Sequence, residues 1–395
     1  MQSKTVPHTW EIALVKKATT NISIEAKIPT KSYLEQGKFP VIDQGKNFIS
    51  GYANISRGLI ANIPVIIFGD HTRVLKYVDF PFLAGADGIK VLKAKKFILP
   101  KLLFYFLQAI ALPDRGYARH FQYLEQSVIP VPPMAEQKRI VRKIEELFGV
   151  IDRDIQRLTD TLEQLSQFRQ SVLEKLLNNP VYPQISFNDG IEKIIGGSTP
   201  SKTVSAYYEG HIPFMTVKDM TSPRPQDTAW HITQEAVDNC STHIIPANTL
   251  ITATRVGLGK TVLMPFPVAI NQDLKALVLN KNKVNTRFFE FILNAKTTEI
   301  ISKSRGTTVK GITLEDFKSI KFYIPTLPEQ QKIVDEIEKA FRSADKVQKA
   351  VQNALEEAKK LKQSILKKAF AGELVPQDPN DKPVDLTQLK KDKHK

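Results

Sequence analysis

Glu136-Gln137-Lys138-Arg139-Ile140-Val141-Arg142-Lys143-Ile144 opens a stretch that the chain contains twice, the second copy beginning Glu329-Gln330-Gln331-Lys332-Ile333-Val334. A constant offset of about 193 residues pairs Ile140 with Ile333, Ile144 with Ile337, Phe148 with Phe341, Leu162 with Leu355 and Val172 with Ile365, without a gap. The repeated unit is half the protein. In the first copy, apolar residues recur every three or four positions at Ile140, Ile144, Leu147, Ile151, Ile155, Leu158, Leu162, Leu165, Phe168, Val172 and Leu176. The second copy repeats this at Ile333, Ile337, Phe341, Ala344, Val347, Val351, Leu355, Ala358, Leu361 and Ile365. Both patterns are the seam of a coiled coil. About 43 residues of helix span on the order of 65 Å.

The flanking residues bound these arms. Pro130-Val131-Pro132-Pro133 ends whatever precedes the first, because proline lacks the backbone donor and fixes φ, and Asn178-Asn179-Pro180 closes it. Thr326-Leu327-Pro328-Glu329 opens the second as a capping box. Ala344, Ala354 and Ala358 are small where the first arm has Ile151, Thr161 and Leu165, so the seams can interlock large against small. The pairing set is Ile144, Ile151, Leu158, Leu162, Leu165 and Val172 against Ile337, Ala344, Val351, Leu355, Ala358 and Ile365. Two helices joined through a whole globular part can lie antiparallel within one chain. The layout is then a head at 1–133, an arm at 134–180, a head at 181–325, an arm at 326–375, and a flexible, polar, lysine-rich tail at 376–395.

A chain of 395 residues suggests two or three domains. Hydrophobic and charged fractions of 42% and 25% are those of a soluble globular protein, with no apolar run near the ~20 residues of a membrane span. The first residues lack a secretory signal pattern and Cys240 is the sole cysteine, so the expected compartment is the cytoplasm, and neither an internal disulfide nor a zinc finger is expected. The net charge of +15 sits mainly in the heads: residues 1–133 carry 17 basic and 9 acidic groups, residues 181–325 carry 16 and 12, and the first arm is balanced at 8 and 8. That surplus is either solvated surface or a face for a polyanion.

Within the heads, short apolar runs broken by turn residues, such as Phe39–Lys46 and Ile63–Asp70, read as strands. Leu99–Leu112 reads as a buried helix started by Pro100 and stopped by Pro113. Each head is therefore α+β. Catalytic motifs are not evident. Arg255-Val256-Gly257-Leu258-Gly259-Lys260-Thr261 ends like a phosphate-binding loop, but Thr254 stands where the first glycine is needed, which leaves a turn between strands. Asp70-His71-Thr72-Arg73 has no nucleophile or second carboxylate beside it. The only Pro-Pro, Pro132-Pro133, is followed by Met134, so the Asn/Asp-Pro-Pro-aromatic strip of base methyltransferases is missing. The expectation is a non-catalytic chain that binds no metal or cofactor of its own.

The polar loops suit base reading better. Gln44, Lys46, Asn47, Tyr52, His71, Thr72, Arg73, Lys90, Arg115, Arg119 and His120 in the first head are of the types that pair with base edges or grip phosphates. So are Thr199, Ser201, Lys202, Tyr207, Lys218, Arg255, Lys260, Gln272, Lys275, Arg305 and Lys310 in the second. A coiled-coil scaffold without DNA sequence specificity is the alternative from another class, and a self-sufficient ATPase or nuclease the third.

The head-arm-head-arm order resembles the specificity subunit of type I restriction-modification systems, and two features carry the likeness. Gly196-Gly197-Ser198-Thr199-Pro200-Ser201-Lys202, followed by Tyr207-Tyr208-Glu209-Gly210-His211-Ile212-Pro213-Phe214, is similar to the opening of many target-recognition domains of that family. The junctions Val131–Val141 and Ile324–Val334 resemble the starts of its long spacer helices. The first head shares the general pattern but lacks the Thr-Pro-Ser opening. The resemblance implies two target-recognition domains joined by two long antiparallel coiled-coil helices, a pseudo-twofold internal repeat. Each would read half of a split site on double-stranded DNA while the arms set the unread gap. It further implies docking of two modification (methyltransferase) subunits, which bring S-adenosylmethionine, and of ATP-driven restriction subunits.

Overall fold

In the computed structural model both copies are continuous helices, Met134–Leu177 and Leu327–Phe370, each of 44 residues. The structure describes residues 6–85, 88–116, 118–306 and 310–386. The chain divides inside both arms into two compact units, one of residues 1–159 with 352–395 and the other of residues 160–351. Each unit thus holds one head and half of each long helix.

Within each unit the half-helices run antiparallel, and one contact, made twice, sets their register. In the first unit the Lys362 ammonium donates to Asp152 and lies 4.8 Å from the Phe148 ring centre. In the second, Arg169 Nη2 donates to Asp345 Oδ1 at 2.6 Å, with the guanidinium 6.0 Å from the Phe341 ring centre. Asp152 and Asp345 are corresponding residues of the two copies, as are Phe148 and Phe341, and Arg169 and Lys362. The arms exchange roles between the units. Such partly exposed ion pairs contribute at most about 1 kcal/mol each, so their value lies in alignment. Ile151 is buried in the apolar cluster of the first unit, and Ala358 packs against the same cluster.

The heads share most of their strand order; the first adds Lys27–Ile28 beside Phe82–Gly85, a strand with no counterpart among the described residues of the second. An antiparallel sheet in the first has the order Thr19–Asn21, Ile89–Ala94, Val65–Gly69, Leu75–Val78, and its counterpart has the order Ile191–Ile195, Leu274–Leu279, Thr249–Ala253, Thr261–Met264. In a second sheet Phe39–Ile42 runs parallel to Phe82–Gly85, matched by Ile212–Met215 beside Val268–Ile270. Central strands such as Val65–Gly69 are buried at every position, hence their unbroken apolar runs. One helix per head, Pro100–Ala109 or Thr286–Ala295, then packs against an arm: Leu103 and Phe106 share a core with Ile140 and Ile144, and Phe288 and Ile292 share one with Ile337.

A buried glutamine joins each head to its arm. Gln137, fully buried, accepts from the Leu99 N–H at 2.8 Å and donates through Nε2 to the carbonyls of Phe97 and Pro132, both at 2.9 Å. Gln330, its counterpart, accepts from the Asn285 N–H at 2.8 Å and donates to Lys283 O at 2.8 Å and Pro325 O at 2.9 Å. Leu99 and Asn285 are the residues just before the two head helices, where backbone donors have no helical partner. The preceding glutamates diverge. Glu329 receives both the N–H (3.0 Å) and the hydroxyl (2.6 Å) of Thr326, which holds its carboxyl below the usual glutamate range. Pro133 occupies the Thr326 position in the first arm and offers neither group. Glu136 instead takes Trp10 Nε1 at 2.8 Å and Gln377 Nε2 at 2.5 Å, and burial pushes its carboxyl up.

Three sequence expectations change. The long helices end at Leu177 and Phe370, and the head helix runs Pro100–Ala109 rather than to Leu112. Phe168, Val347 and Leu361 are exposed by 45%, 45% and 52%, whereas Leu173, Leu177, Val334, Leu366 and Ala369 are buried. A straight helix drifts against a strict heptad, and near each end the head covers a face that the seam alone does not predict. The tail is corrected for residues 376–386. Asp381 accepts from Arg139 Nη2 at 2.6 Å, and Leu386 is buried with Ala13 and Val131. Apolar residues spaced among prolines let this segment cross the first head as irregular chain with one turn at residues 379–380. Residues 387–395 fall outside the described residues.

Replacing Gln330 by Ala strands one half-buried N–H and two carbonyls, so Gln330→Ala is expected to destabilise its unit by about 2–4 kcal/mol in urea unfolding, and Gln137→Ala likewise. Gln331→Ala, at the exposed neighbour, should stay within about 0.5 kcal/mol. Equal small effects at Gln330 and Gln331 would remove the clamp from the account.

Candidate nucleic-acid interface

In the first head, three loops converge beyond the strand Val65–Gly69. The loop after Ile42 turns on Asp43, which accepts from the Gly45 N–H at 2.8 Å, Ser50 Oγ at 2.6 Å and Tyr33 Oη at 3.3 Å. Lys76 enters from below, 4% exposed, donating to Asp43 O at 2.8 Å and Asn47 O at 2.5 Å. Burial holds the Lys76 ammonium below the usual lysine range against the pull of Asp43. For Asp43 burial acts upward, but the Ser50 and Gly45 bonds and the Lys76 charge bring its carboxyl below the ordinary value. The loop is pinned from inside, leaving Lys46 and Asn47 exposed.

Gln44 ties this loop to the second one. Its carbonyl accepts from Thr72 Oγ1 at 2.6 Å and its Oε1 from the His71 N–H at 3.3 Å. Its amide lies over Gly88, whose φ of +87° and close cover leave no room for a Cβ. Arg73 Nη2 donates to Asp114 Oδ2 at 3.1 Å, which brings in the third loop. Asp70 fastens that loop, accepting the Phe121 N–H at 2.8 Å on its side chain and the His120 N–H at 2.9 Å on its carbonyl. Lys90 lies 5.1 Å from the Phe121 ring centre and Arg115 lies 5.5 Å from that of Tyr123. Thr72, Arg115 and Arg119 are exposed, while Tyr52 is half-buried and exchanges backbone hydrogen bonds with Leu34. His120 is a correction. It is fully buried with Nδ1 3.1 Å from Asp70 O, so it supports the loop and does not present its ring outward.

The second head builds the same places from different residues. Thr254 stands where Asp70 does, linked by its N–H to Asp273 O at 2.9 Å and by its carbonyl to the Ile312 N–H at 2.9 Å. Around it gather Thr199, whose Oγ1 donates to Gln272 Oε1 at 2.7 Å, and Arg255, whose Nε is 3.6 Å from Asp273 Oδ1. Gly197 opens this group because a Cβ there would sit 1.8 Å from Ile270 O. The turn after Arg255 brings Gly257 against Val217, next to exposed Lys218, with exposed Lys260 beside it. It is a tight link between two strands, as the imperfect phosphate-loop pattern suggests. Gly311 packs on Arg255, and Arg305 lies 3.4 Å from Asp316, with Lys310 exposed nearby. Lys275 is a second correction: its ammonium donates to Gln272 O and Leu274 O at 3.0 and 3.2 Å, and burial lowers its pKa. Ser201 bonds Thr203, Lys202 lies 5.8 Å from the Trp230 ring centre, Tyr208 meets that ring edge-on at 5.3 Å, and Tyr207 and Tyr208 pack against the small core of Phe214 and Ile232.

One sequence model settles the kinship. The model for a type I restriction modification DNA specificity domain matches residues 20–164 and again 183–357. The chain belongs to that family. It is 29% identical over 343 residues to the EcoR124I/EcoR124II specificity subunit of Escherichia coli, covering 79% of this chain and 81% of that one. It is 26% identical over 266 residues to a putative specificity subunit, MjaX, of Methanocaldococcus jannaschii, covering 62% and 59%. A solved structure described as the basis of complex assembly and conformational transition of the type I R-M system superposes with a TM-score of 0.69 at 20% identity. It spans 94% of this chain and 100% of its own, and it shows the shared fold. The α+β heads on paired long helices are the architecture of a DNA specificity subunit of this family.

Sequence reasoning missed Lys76 and the Asp43 carboxylate as organisers. The signal was present: in Leu75–Val78 the inward positions are Lys76 and Val78, so a charge falls on the buried face of an alternating strand. Among the described residues no group of three His, Cys, Asp or Glu could hold a metal ion, and no helix is long and apolar enough to cross a membrane. Lys76→Ala is expected to raise amide exchange across residues 43–50 at least about tenfold while leaving the second head's loops unchanged. Unchanged protection there would mean that Lys76 does not hold the loop.

Proposed function

We propose that this chain reads a bipartite sequence on double-stranded DNA, each head contacting one half through its loop cluster, with the arms setting the length of the unread stretch. The observation that carries this is the duplication itself: one fold, anchored to its arm in the same way twice, bears loop side chains that differ at corresponding places. Lys46, Asn47, Thr72 and Arg115 of the first head, and Lys218, Arg255, Lys260 and Gln272 of the second, are of the types that meet base edges and phosphates. The remaining exposed polar residues named for each head are assigned backbone contacts. His120 and Lys275 shape the loops behind them.

In this reading the chain carries out no chemical step. Two modification subunits supply S-adenosylmethionine and the pocket for an adenine taken out of the stack, and restriction subunits supply ATP-driven cleavage. Phe168 and Leu361, corresponding positions of the two arms, are both exposed apolar residues, which suits docking of one kind of subunit twice. The working compartment is the cytoplasm, where cellular DNA is reached.

The test is sequencing of methylated adenines in cells that carry the chain with its partner subunits. One split motif is expected. Inserting seven residues after Leu158 and seven after Leu355 adds about 10 Å to each arm, or roughly three base pairs. Both half-sites should persist with a longer gap. A continuous motif, or altered half-sites at a fixed gap, would contradict the reading.

A further inference from the structure

The duplication leaves a difference at the foot of the two heads. In the first head, Leu386 is buried against Ala13 and Val131, with Phe97 and Val384 packed around them. The corresponding residues of the second head follow from the pairing: Ala13 lies opposite Ile129 as Ile185 lies opposite Phe322, and Val131 answers Ile324. Phe97 answers Lys283, since each gives its carbonyl to the buried glutamine of its arm. Ile185, Lys283 and Ile324 line a groove of about 320 Å³, which Leu327 completes at the start of the second arm. One groove holds a strap of the chain, and among the described residues no segment fills its twin.

We infer that the groove of the second head is a docking site for a non-helical segment of a partner polypeptide carrying an apolar-acidic-apolar triplet like Val384-Asp385-Leu386. The first head supplies the argument for this occupant, because there the same fold takes such a segment. Its strap carries Pro376, Pro379 and Pro383, turns once at residues 379–380 and reaches the slot as the non-helical run 383–386, so the site does not ask for a helix. Charge agrees. The strap is fixed by Asp381 on Arg139, and the residue corresponding to Arg139 is Lys332. Lys283 lines the groove itself together with Asp189, so Lys283 and Lys332 face an acidic segment with one carboxylate among the groove's own charges. The inference concerns a partner and does not depend on DNA reading.

The probe is a synthetic peptide of residues Pro376–Leu386, labelled at its N-terminus and titrated with the full chain by fluorescence anisotropy without DNA. Saturable one-to-one binding is expected, absent for a scrambled peptide. Leu327→Asp and Lys332→Glu should each weaken it at least about tenfold. An acid at the first helical position is favoured by the helix dipole, so Leu327→Asp should keep its helix content, read by circular dichroism. No binding would overturn the inference. So would binding untouched by both substitutions, which would mean exchange with the strap on the first head. Self-association of the chain lost in Leu327→Asp would assign the groove to a second copy and also overturn it.

Discussion

Everything in this molecule hangs on a buried amide near the start of each arm. A glutamine side chain carries both an acceptor and a donor pair, and Gln137 and Gln330 use them identically. They saturate the orphan N–H before the head helix, one carbonyl just upstream of that helix and one carbonyl just before the arm itself. Neither could be replaced by an apolar residue without leaving one N–H and two carbonyls of the joint without their partner. A head is therefore fastened to its arm by directional bonds, and hydrophobic packing then fills the joint with Phe106 and Ile144, or Phe288 and Ile337. The joint fixes orientation, which a recognition surface requires and a greasy contact alone would not give.

The same logic continues outward to the loops. Asp43, Lys76, Asp70 and His120 in one head are spent on holding backbone, so that neighbours can point to solvent in a fixed arrangement. The second head keeps the backbone links but holds them with Thr254 and Asp273. Preorganised loops lose less entropy on binding. Differing side chains on equal frames are how one fold serves two recognition tasks.

The arms were the most legible part of the sequence, because a repeat of about 193 residues and a three-four apolar period survive without knowledge of tertiary contacts. The capping role of Thr326 and Glu329 was equally readable, being local. What failed was long-range. Phe168 and Leu361 fit the seam yet face solvent, and Leu173 and Leu366 are covered by heads that the period does not describe. His120 and Lys275 have the composition of contact residues, but burial and carbonyl partners, set by distant strands, turn them inward. Residues 376–386 looked like solvent-borne tail by composition, and only Arg139 and Ala13, hundreds of residues earlier, show where they lie. Thr199 and Gln272 were named separately as candidates, and the fold joins them by a hydrogen bond.

The central claim is that two like-built heads read separately. Selection of bound duplexes from a randomised pool by the assembled complex tests it most directly, comparing the unaltered chain with a first-head variant, Asn47→Ala, and a second-head variant, Lys260→Ala. The account predicts two information-bearing blocks separated by a featureless gap, with Asn47→Ala blurring one block and Lys260→Ala only the other. A single block, or both blocks fading together from either substitution, would contradict it.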